Sequence, residues 1–167
     1  MTRETGGTGC IFSIIIATKS RPFQLRRCIG ALGNLEIPKE SIEIIVAFDG
    51  GDQVPEHELK ELANGCELRV LVQSHRGPSA ARNAAANVAR GKYLTFIDDD
   101  CVPPADWVRR LSAEIERRPS AMIGGATVNA LPQNIYSEAS QAIVEYVYVY
   151  YNEPMSGRKM FFASNNM

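Results

Sequence analysis

Residues 77–108 read GPSAARNAAANVARGKYLTFIDDDCVPPADWV, and this stretch carries the pattern that predicts the fold. Its alanine-rich first half predicts a helix over 79–89, with Ser79 as its N-cap. The short apolar run YLTFI at 93–97 predicts a buried strand, and three aspartates at 98–100 follow it directly. A helix that leads into a buried strand is the repeating unit of a parallel α/β sheet.

The same alternation runs through the rest of the chain. The near-continuous apolar runs FSIIIA and IEIIVAF are typical of strands that are buried on both faces. The first helix is expected to take Ser20 as its N-cap. The end of the last helical segment, YVYVYY, fits a strand equally well. We expect an α/β fold with a doubly wound, mostly parallel sheet and helices on both faces. The patterns predict strands at 12–17, 42–48, 68–73, 93–97 and 121–128, and helices at 21–32, 55–63, 79–89, 106–118 and 137–150.

Composition and charge limit the function classes. The chain has 167 residues, of which 45% are hydrophobic and 22% are charged, and its formal net charge is −1. These values are ordinary for one soluble globular domain, and they argue against a basic nucleic-acid binder. We expect a flexible tail over 1–10 and a single domain over 11–167. That domain is expected to be incomplete at its C-terminal end, because the chain stops at FFASNNM without a helix stop or a turn.

Two further features bear on location and redox chemistry. No run approaches the roughly 18 apolar residues that a membrane-spanning helix needs. The sequence therefore predicts a cytoplasmic protein, with any membrane association supplied by sequence beyond Met167. Its four cysteines form no C-x-x-C pair, which argues against a structural zinc site and a disulfide framework. We expect free thiols that are mostly buried, at Cys10, Cys28, Cys66 and Cys101.

Polar side chains follow several of the predicted strands. Thr18, Lys19, Asp49, Arg76 and the run at 98–100 all come just after a strand. In open α/β sheets, ligands bind in the crevice beyond the carboxyl ends of the strands. We therefore expect these residues to converge on one edge of the sheet and to form the functional site.

The acidic run at 98–100 points to a cation. Two like charges about 4 Å apart repel by about 1 kcal/mol in water and by more where solvent is reduced. Carboxylates suit hard divalent ions such as Mg²⁺ and Mn²⁺, which remove this repulsion. In an extended segment Asp98 and Asp100 point to one side and Asp99 to the other. The alternative is a solvated acidic turn that caps the following helix at Asp106.

Two other residues suit a nucleotide. The carboxylate of Asp49 can accept a hydrogen bond from a base N–H or a ribose hydroxyl, and the glycines after it let a ligand approach the backbone. Arg82, predicted in the first turn of the alanine-rich helix, can hold a phosphate or a carboxylate. The alternatives are simple turn chemistry for Asp49 and a surface position for Arg82. His75 lies near the predicted site but is not assigned a role.

Four separated segments together resemble family 2 glycosyltransferases. SIIIATKSRP at 13–22 is similar to the family's SVIIPTYNR, and EIIVAFDGG at 43–51 is similar to its EIIVVDDGS. Residues 77–108 are similar to its G-x-[AS]-x-ARN segment and the D-x-D motif that follows, and FFASNNM at 161–167 to its F-x-G-x-N. The chain departs from the family pattern at Ala17, Lys19, Phe48 and Ala163.

The resemblance implies a GT-A fold, a nucleotide-sugar donor for which a UDP-sugar is expected, a Mg²⁺ or Mn²⁺ ion, and inversion at the sugar carbon. In this chain Thr18 would lie beside the nucleoside, Asp49 would face the nucleobase and Arg82 would contact the donor. Asp98 would bind the ribose or the metal, and Asp100 would be the main protein ligand to the metal. The implied donor-binding residues are Thr18, Lys19, Asp49, Arg82, Asp98 and Asp99, and the implied metal ligands are Asp100 and Asp98.

Sugar transfer with inversion also needs a general base that deprotonates the acceptor hydroxyl. The resemblance implies that this base belongs to an acidic motif beyond Met167, so no catalytic residue is assigned. The acceptor, whether a saccharide, a lipid or a protein, is not indicated. Two alternatives stay open. One is a truncated donor-binding module without catalysis. The other is a haloacid-dehalogenase-type phosphatase, whose nucleophile motif D-x-D-x-[TV] is matched by Asp98-x-Asp100-x-Val102.

Overall fold

The computed structural model describes residues 11–152 of the chain. Four strands form one sheet in the order β3-β2-β1-β4, and all of its pairings are parallel. The chain therefore steps outward in one direction from β1 to β3 and then returns to the other side of β1. This order is that of a doubly wound sheet. The strands are β1 (Phe12–Thr18), β2 (Ile42–Asp49), β3 (Glu67–Gln73) and β4 (Tyr93–Phe96).

Helices connect the strands and continue beyond the sheet. Proline stands at the first or second position of both α1 and α3, where its missing N–H costs no helical hydrogen bond. A single 3₁₀ turn, Lys39–Ser41, leads into β2. The last predicted segment is helical throughout its described length, so the strand alternative for its tyrosine-rich end is wrong. The helices are α1 (Pro22–Gly33), α2 (Glu56–Leu62), α3 (Pro78–Val88), α4 (Trp107–Arg117) and α5 (Ile135–Asn152).

The core lies on both faces of the sheet, as the apolar runs predict. On one face, Ile14 of β1 packs in a cluster that includes residues of α1, α2 and α4. On the other face, Ile15 packs with Ala81 and Ala85 of α3. Both isoleucines are fully buried because helices cover the two sides of the strand. This double coverage confirms the predicted α/β fold.

The predicted fifth strand at 121–128 is wrong. Within the described residues, this segment pairs with no other strand and has no regular structure. Gly124 and Gly125 interrupt its apolar run and leave too few side chains to bury, and Val128 is 90% exposed.

Both predicted serine N-caps are also wrong. Helix α1 begins after Arg21, and Ser20 instead accepts a hydrogen bond from the backbone N–H of Asp52, at 3.3 Å. Helix α3 begins after Gly77, ahead of the expected cap at Ser79. In each case a proline pre-set for helical φ determines where the helix starts.

The described residues fall into two compact units, which divide between Ala121 and Met122. The first contains the sheet and α1 to α4, and the second contains α5. The single domain over 11–167 stays a prediction. The predicted tail at 1–10 and the FFASNNM segment lie outside the described residues. No helix between residues 11 and 152 is long and apolar enough to cross a membrane.

The prediction that most of the cysteine thiols are buried is confirmed for the cysteines that the structure describes. Cys28 and Cys66 are buried free thiols, and Cys101 is half-buried. Burial raises the pKa of the Cys28 thiol far above its usual value, so this sulfur is not a reactive thiolate. Cys10 lies outside the described residues.

Candidate functional site

A cleft of about 270 Å³ opens at the carboxyl edge of the sheet. The ends of β1 and β2, the start of α3 and the segment after β4 all contribute to its wall. Most of the side chains expected to converge here therefore do lie together, although their roles toward a ligand stay predictions. Of the predicted site residues, Thr18, Lys19, Asp49, Arg82, Asp98 and Asp99 line this cleft.

The residues that line the cleft also differ in part from those that the sequence predicts. Asp100 is exposed and is not among the lining residues, and Arg76 contributes a backbone N–H to the site. Arg21 and His75 line the cleft, although the sequence motifs assign neither of them a role. The signal that could have found both is their position, because each follows the end of a strand by two or three residues.

The acidic run is held by arginines from two different helical segments. Arg82 of α3 donates from Nη2 to Oδ1 of Asp98 at 2.6 Å. The Nη1 of Arg21, at the N-cap of α1, donates to Oδ1 of Asp99 at 3.2 Å and to Oδ2 of Asp100 at 2.9 Å. Each of the three neighbouring carboxylates is thus paired with one of two guanidinium groups.

The run does not alternate as an extended strand would. Strand β4 ends at Phe96, and the backbone N–H of Cys101 donates to the carbonyl of Asp98 at 3.1 Å, which closes a turn. The expectation that Asp98 and Asp100 share one side, opposite Asp99, is therefore wrong. In the structure Asp98 and Asp99 line the cleft, while Asp99 and Asp100 share one guanidinium nitrogen.

Asp99 is the buried member of the run, with 4% of its surface exposed. Its Oδ2 accepts a hydrogen bond from Oγ1 of Thr18 at 2.6 Å, which ties the end of β1 to the acidic run. Burial raises the pKa of the Asp99 carboxyl, and the hydrogen bond from Thr18 and the charge of Arg21 oppose that rise. The charge of Asp99 in turn raises the pKa of Arg21.

Asp49, at the end of β2, accepts four hydrogen bonds from the last residue of β3 and from the loop between β3 and α3. Its Oδ1 accepts from Nε2 of Gln73 at 2.7 Å and from the backbone N–H of Arg76 at 2.8 Å. Its Oδ2 accepts from the backbone N–H of Gly77 at 2.8 Å and lies 2.7 Å from Nδ1 of His75. An ionised carboxylate only accepts, so Nδ1 of His75 carries the proton. The carboxylate therefore organises this loop.

These hydrogen bonds also set the charge of Asp49. Donation from the backbone of Arg76, followed by donation from Gln73, holds the pKa of the Asp49 carboxyl well below its usual range, although burial opposes this. Gly50 and Gly51, with φ of +75° and +76°, turn the chain directly after it. A Cβ on Gly50 would lie 3.3 Å from the backbone nitrogen of His75, so glycine allows this close approach.

Arg82 reaches the cleft because α3 packs close to the sheet. Ala81 and Ala85 are fully buried against β1 and β2, and their small side chains permit that contact. Because the helix starts at Pro78 and not after Ser79, Arg82 lies two residues deeper in the helix than expected, just beyond its first turn. Within the described part of the chain, the buried Nε of Arg82 has no hydrogen-bond partner. A ligand atom that accepts a hydrogen bond would satisfy this donor.

The chemistry of the cleft suits a ligand that carries both negative charge and hydroxyl groups. Lys19, Arg21 and Arg82 supply cationic donors, while Asp98 and Asp99 supply acceptors. Arginine binds phosphate by paired hydrogen bonds, and carboxylates accept from sugar hydroxyls. The same carboxylates could hold a divalent cation once their arginine partners release them.

Comparison with known proteins places the chain in a family. Residues 13–166 match the family model described as Glycosyl transferase family 2. The glycosyltransferase AglE of Haloferax volcanii is 25% identical over 115 residues, which are 68% of this chain and 38% of AglE. The chain thus spans less than two-fifths of the length of this relative.

Two solved structures share the fold. The structure of S. aureus TarS 1-349 in complex with UDP-GlcNAc has a TM-score of 0.59 at 20% identity, over 73% of this chain and 38% of TarS 1-349. The mannosyltransferase PcManGT from Pyrobaculum calidifontis, in complex with GDP-Man and Mn²⁺, has a TM-score of 0.61 at 16% identity. That match covers 75% of this chain and 37% of PcManGT. At these identities the likeness shows the fold, which is GT-A.

Proposed function

This chain belongs to glycosyl transferase family 2, and on that premise we propose that it is the donor-binding part of a metal-dependent glycosyltransferase. The reaction would move a sugar from a nucleoside-diphosphate sugar, a UDP-sugar in our proposal, to an acceptor hydroxyl with inversion at the sugar carbon. The observation that carries the proposal is the cleft in which cationic and acidic side chains meet at the carboxyl ends of parallel strands.

The nucleoside would occupy the end of the cleft formed by β1 and β2. Thr18 and Asp49 stand at the two strand ends there, 4% and 3% exposed. The acceptor positions of Asp49 are filled by the loop at 73–77, so a base N–H would bond to Asp49 by replacing one of these donors. His75 suits that exchange because its side chain is 59% exposed.

The diphosphate would lie toward Lys19 and Arg82. Lys19 is exposed at the mouth of the cleft, and the unpartnered Nε of Arg82 needs an acceptor. Negative charge develops on the diphosphate as the sugar leaves, so these cations would stabilise the transition state more than the ground state. Asp98 and Asp99 would accept from hydroxyls of the ribose or the sugar.

The acidic run offers the chemistry that a hard cation needs. Asp98, Asp99 and Asp100 provide carboxylate oxygens, and a cationic group, the Arg21 guanidinium, already bridges Asp99 and Asp100. Among residues 11–152, no three acidic, histidine or cysteine side chains converge as a metal site. The ion would be Mg²⁺ or Mn²⁺, held by Asp100 and Asp98, and the PcManGT complex with Mn²⁺ supports this choice. When bound, it would neutralise charge on the departing diphosphate.

The general base stays unassigned, since the resemblance implies an acidic motif beyond Met167. A donor-binding module without catalysis therefore stays the alternative for residues 1–167 taken alone. The family match gives no support to the phosphatase alternative.

Calorimetry with UDP tests the proposal. We expect UDP to bind the chain more tightly in the presence of Mn²⁺. The variant Asp100→Ala should lose this Mn²⁺-dependent gain, by about 10-fold or more, with the fold intact, because Asp100 is an exposed carboxylate and not part of the core. The matched control is Glu40→Ala, which removes an exposed carboxylate before β2, at the opposite edge of the sheet.

Binding of UDP that is independent of Mn²⁺, or equally Mn²⁺-dependent in Asp100→Ala, would contradict the metal assignment. Release of phosphate from a phosphomonoester would contradict the transferase proposal. Slow hydrolysis of a UDP-sugar by the wild type alone would support transfer chemistry over the binding-module alternative.

A further inference from the structure

The side chain of Arg21 occupies the place between two carboxylates of the acidic run. Its Nη1 lies 3.2 Å from Oδ1 of Asp99 and 2.9 Å from Oδ2 of Asp100. We infer that Arg21 is a built-in counter-ion that competes with the divalent cation for Asp100, one of its two proposed ligands, so that metal binding and donor binding are coupled through the release of Arg21. The inference deepens the proposed function and rests on it.

The structure shows why the carboxylates need a resident cation. Asp98, Asp99 and Asp100 are consecutive, and Asp99 is buried. Adjacent carboxylates repel one another more strongly where solvent is reduced. One nitrogen of Arg21 serves two of them, and Arg82 serves the third. Every carboxylate of the acidic run is thus paired with a guanidinium group, although the two arginines carry one charge fewer than the three aspartates.

The same contacts explain why no metal cluster is preformed among the described residues. Asp98 is drawn toward α3 by Arg82, while Asp99 and Asp100 are drawn toward the start of α1 by Arg21. A divalent cation needs several oxygens around it at once. These carboxylates can gather around one ion only after at least one arginine has left.

The side chain of Arg21 can leave the carboxylates while its backbone stays in place. Its backbone is anchored as the N-cap residue of α1, where its carbonyl accepts a hydrogen bond from the N–H of Leu25 at 3.0 Å. Its side chain, however, is 52% exposed and that of Asp100 is 51% exposed, and ion pairs between two exposed side chains are weak. A doubly charged ion can therefore displace it without disturbing the helix. Arg82, whose side chain is only 21% exposed, is less free to move.

The displaced guanidinium would need a new anion, and Arg21 already lines the wall of the cleft in which the donor would bind. The diphosphate of the donor supplies that anion. Metal alone must then displace Arg21 without compensation, whereas metal with the nucleotide displaces it onto the phosphates. By linkage, each of the two ligands then raises the affinity for the other by the same factor.

The experiment measures Mn²⁺ affinity with and without UDP, from the free-Mn²⁺ signal in electron paramagnetic resonance. Compared with the wild type, we expect Arg21→Gln to bind Mn²⁺ about 5-fold more tightly without UDP, and to gain less affinity when UDP is added. Arg21→Lys keeps the charge, and its Mn²⁺ affinity without UDP should lie between those of the wild type and Arg21→Gln. The matched control is Arg26→Gln, which breaks an ion pair with Glu58 on the same helix outside the cleft and should match the wild type.

The outcomes separate this inference from the proposed function. Equal or weaker Mn²⁺ binding by Arg21→Gln without UDP, beside a wild type that binds Mn²⁺, would overturn the role of Arg21 and leave the metal site standing. Failure of every variant to bind Mn²⁺, with or without UDP, would overturn the metal site and the inference with it. Should Arg21→Gln unfold without metal, Arg21→Lys must still show the tighter binding, and an unchanged affinity there overturns the inference.

Discussion

A single carboxylate, that of Asp49, connects the sheet to the loop that forms one wall of the cleft. It accepts from two backbone N–H groups and two side chains between residues 73 and 77. Its negative charge is what these donors stabilise, because hydrogen bonds to the charged form lower a carboxyl pKa. At the residue scale, the shape of the site therefore depends on Asp49 staying ionised.

This dependence makes a prediction for Asp49→Asn. An amide has one oxygen and directs its NH₂ group at donors, so the variant should be less stable than the wild type near neutral pH. A lowered folded pKa adds stability that is complete above the unfolded pKa of about 3.9 and is lost as the pH falls toward the folded value. The stability gap should therefore be constant from neutral pH down to about pH 5 and shrink below about pH 4.

Urea unfolding at a series of pH values measures this gap. Asp52→Asn is the control, because Asp52 is an exposed aspartate in the neighbouring turn and should show little change at any pH. A gap of the same size at neutral pH and at about pH 3 would contradict the assignment of the lowered pKa to Asp49.

At the element scale, the amino edge of the sheet is held by a buried carboxylate. Glu43 of β2 is fully buried and accepts from Oγ of Ser13 and from the backbone N–H of Arg90, each at 2.6 Å. Burial alone would raise the pKa of Glu43, but these hydrogen bonds and the charge of Arg90 bring it below its usual range. Through these hydrogen bonds Glu43 holds the connection from α3 to β4 in place. The position of β4, in turn, determines where the acidic run lies.

Gly91 follows Arg90 in this connection, and its backbone N–H donates to Oγ of Ser13 at 2.8 Å. Its substitution tests how closely the connection packs against β1. A Cβ at position 91 would lie 2.6 Å from the backbone nitrogen of Ser13 and 2.7 Å from the carbonyl carbon of Phe12. Because backbone cannot yield as a flexible side chain does, Gly91→Ala should lower the free energy of unfolding by about 1–3 kcal/mol.

Chemical denaturation measures this loss. The control is Gly30→Ala in α1, where a Cβ meets nothing within 4 Å. That variant should be more stable than the wild type by about 0.5–1 kcal/mol, since alanine is the better helix former. Equal stability of the two variants would show that β1 does not pack against position 91 as described.

At the scale of the whole molecule, the site belongs to one of the two compact units. Every described residue that lines the cleft lies between Ala17 and Asp99. Both clusters of buried core residues also end before the division at Ala121. The unit with the sheet therefore carries both the core and the proposed donor site, while α5 carries exposed side chains such as Tyr146 and Tyr150.

A chain that ends at Ala121 should consequently fold and keep the affinity of the longer chain for UDP with Mn²⁺. Thermal unfolding followed by circular dichroism and a UDP titration measure the two properties. A chain that ends at Arg90 is the control, because it lacks β4 and the acidic run and should bind no UDP. Loss of cooperative unfolding in the chain that ends at Ala121 would show that the sheet unit is not independently stable.

Local sequence patterns correctly predict most of the helices and strands. They are wrong where an element depends on contacts with another part of the chain. Continuous apolar runs predict β1 and β2 because strands covered on both faces bury every side chain. The segment at 121–128 is also largely apolar, yet its two glycines leave few side chains to bury, and within the described residues no strand pairs with it to complete its hydrogen bonds. The predictions of Ser20 and Ser79 as N-caps are wrong because the prolines after Arg21 and Gly77 determine where the helices begin.

The amino-acid sequence by itself determined the fold class, the edge at which the site lies and most of the residues that meet there. It did so because burial periodicity and the parallel crossover rule both act through local order along the chain. Only the tertiary structure decided which charges are paired. Arg21 lies 78 residues from Asp99 along the chain, and Asp49 lies 27 residues from Arg76. Such pairings depend on how the strands are ordered across the sheet, and no local pattern encodes that order.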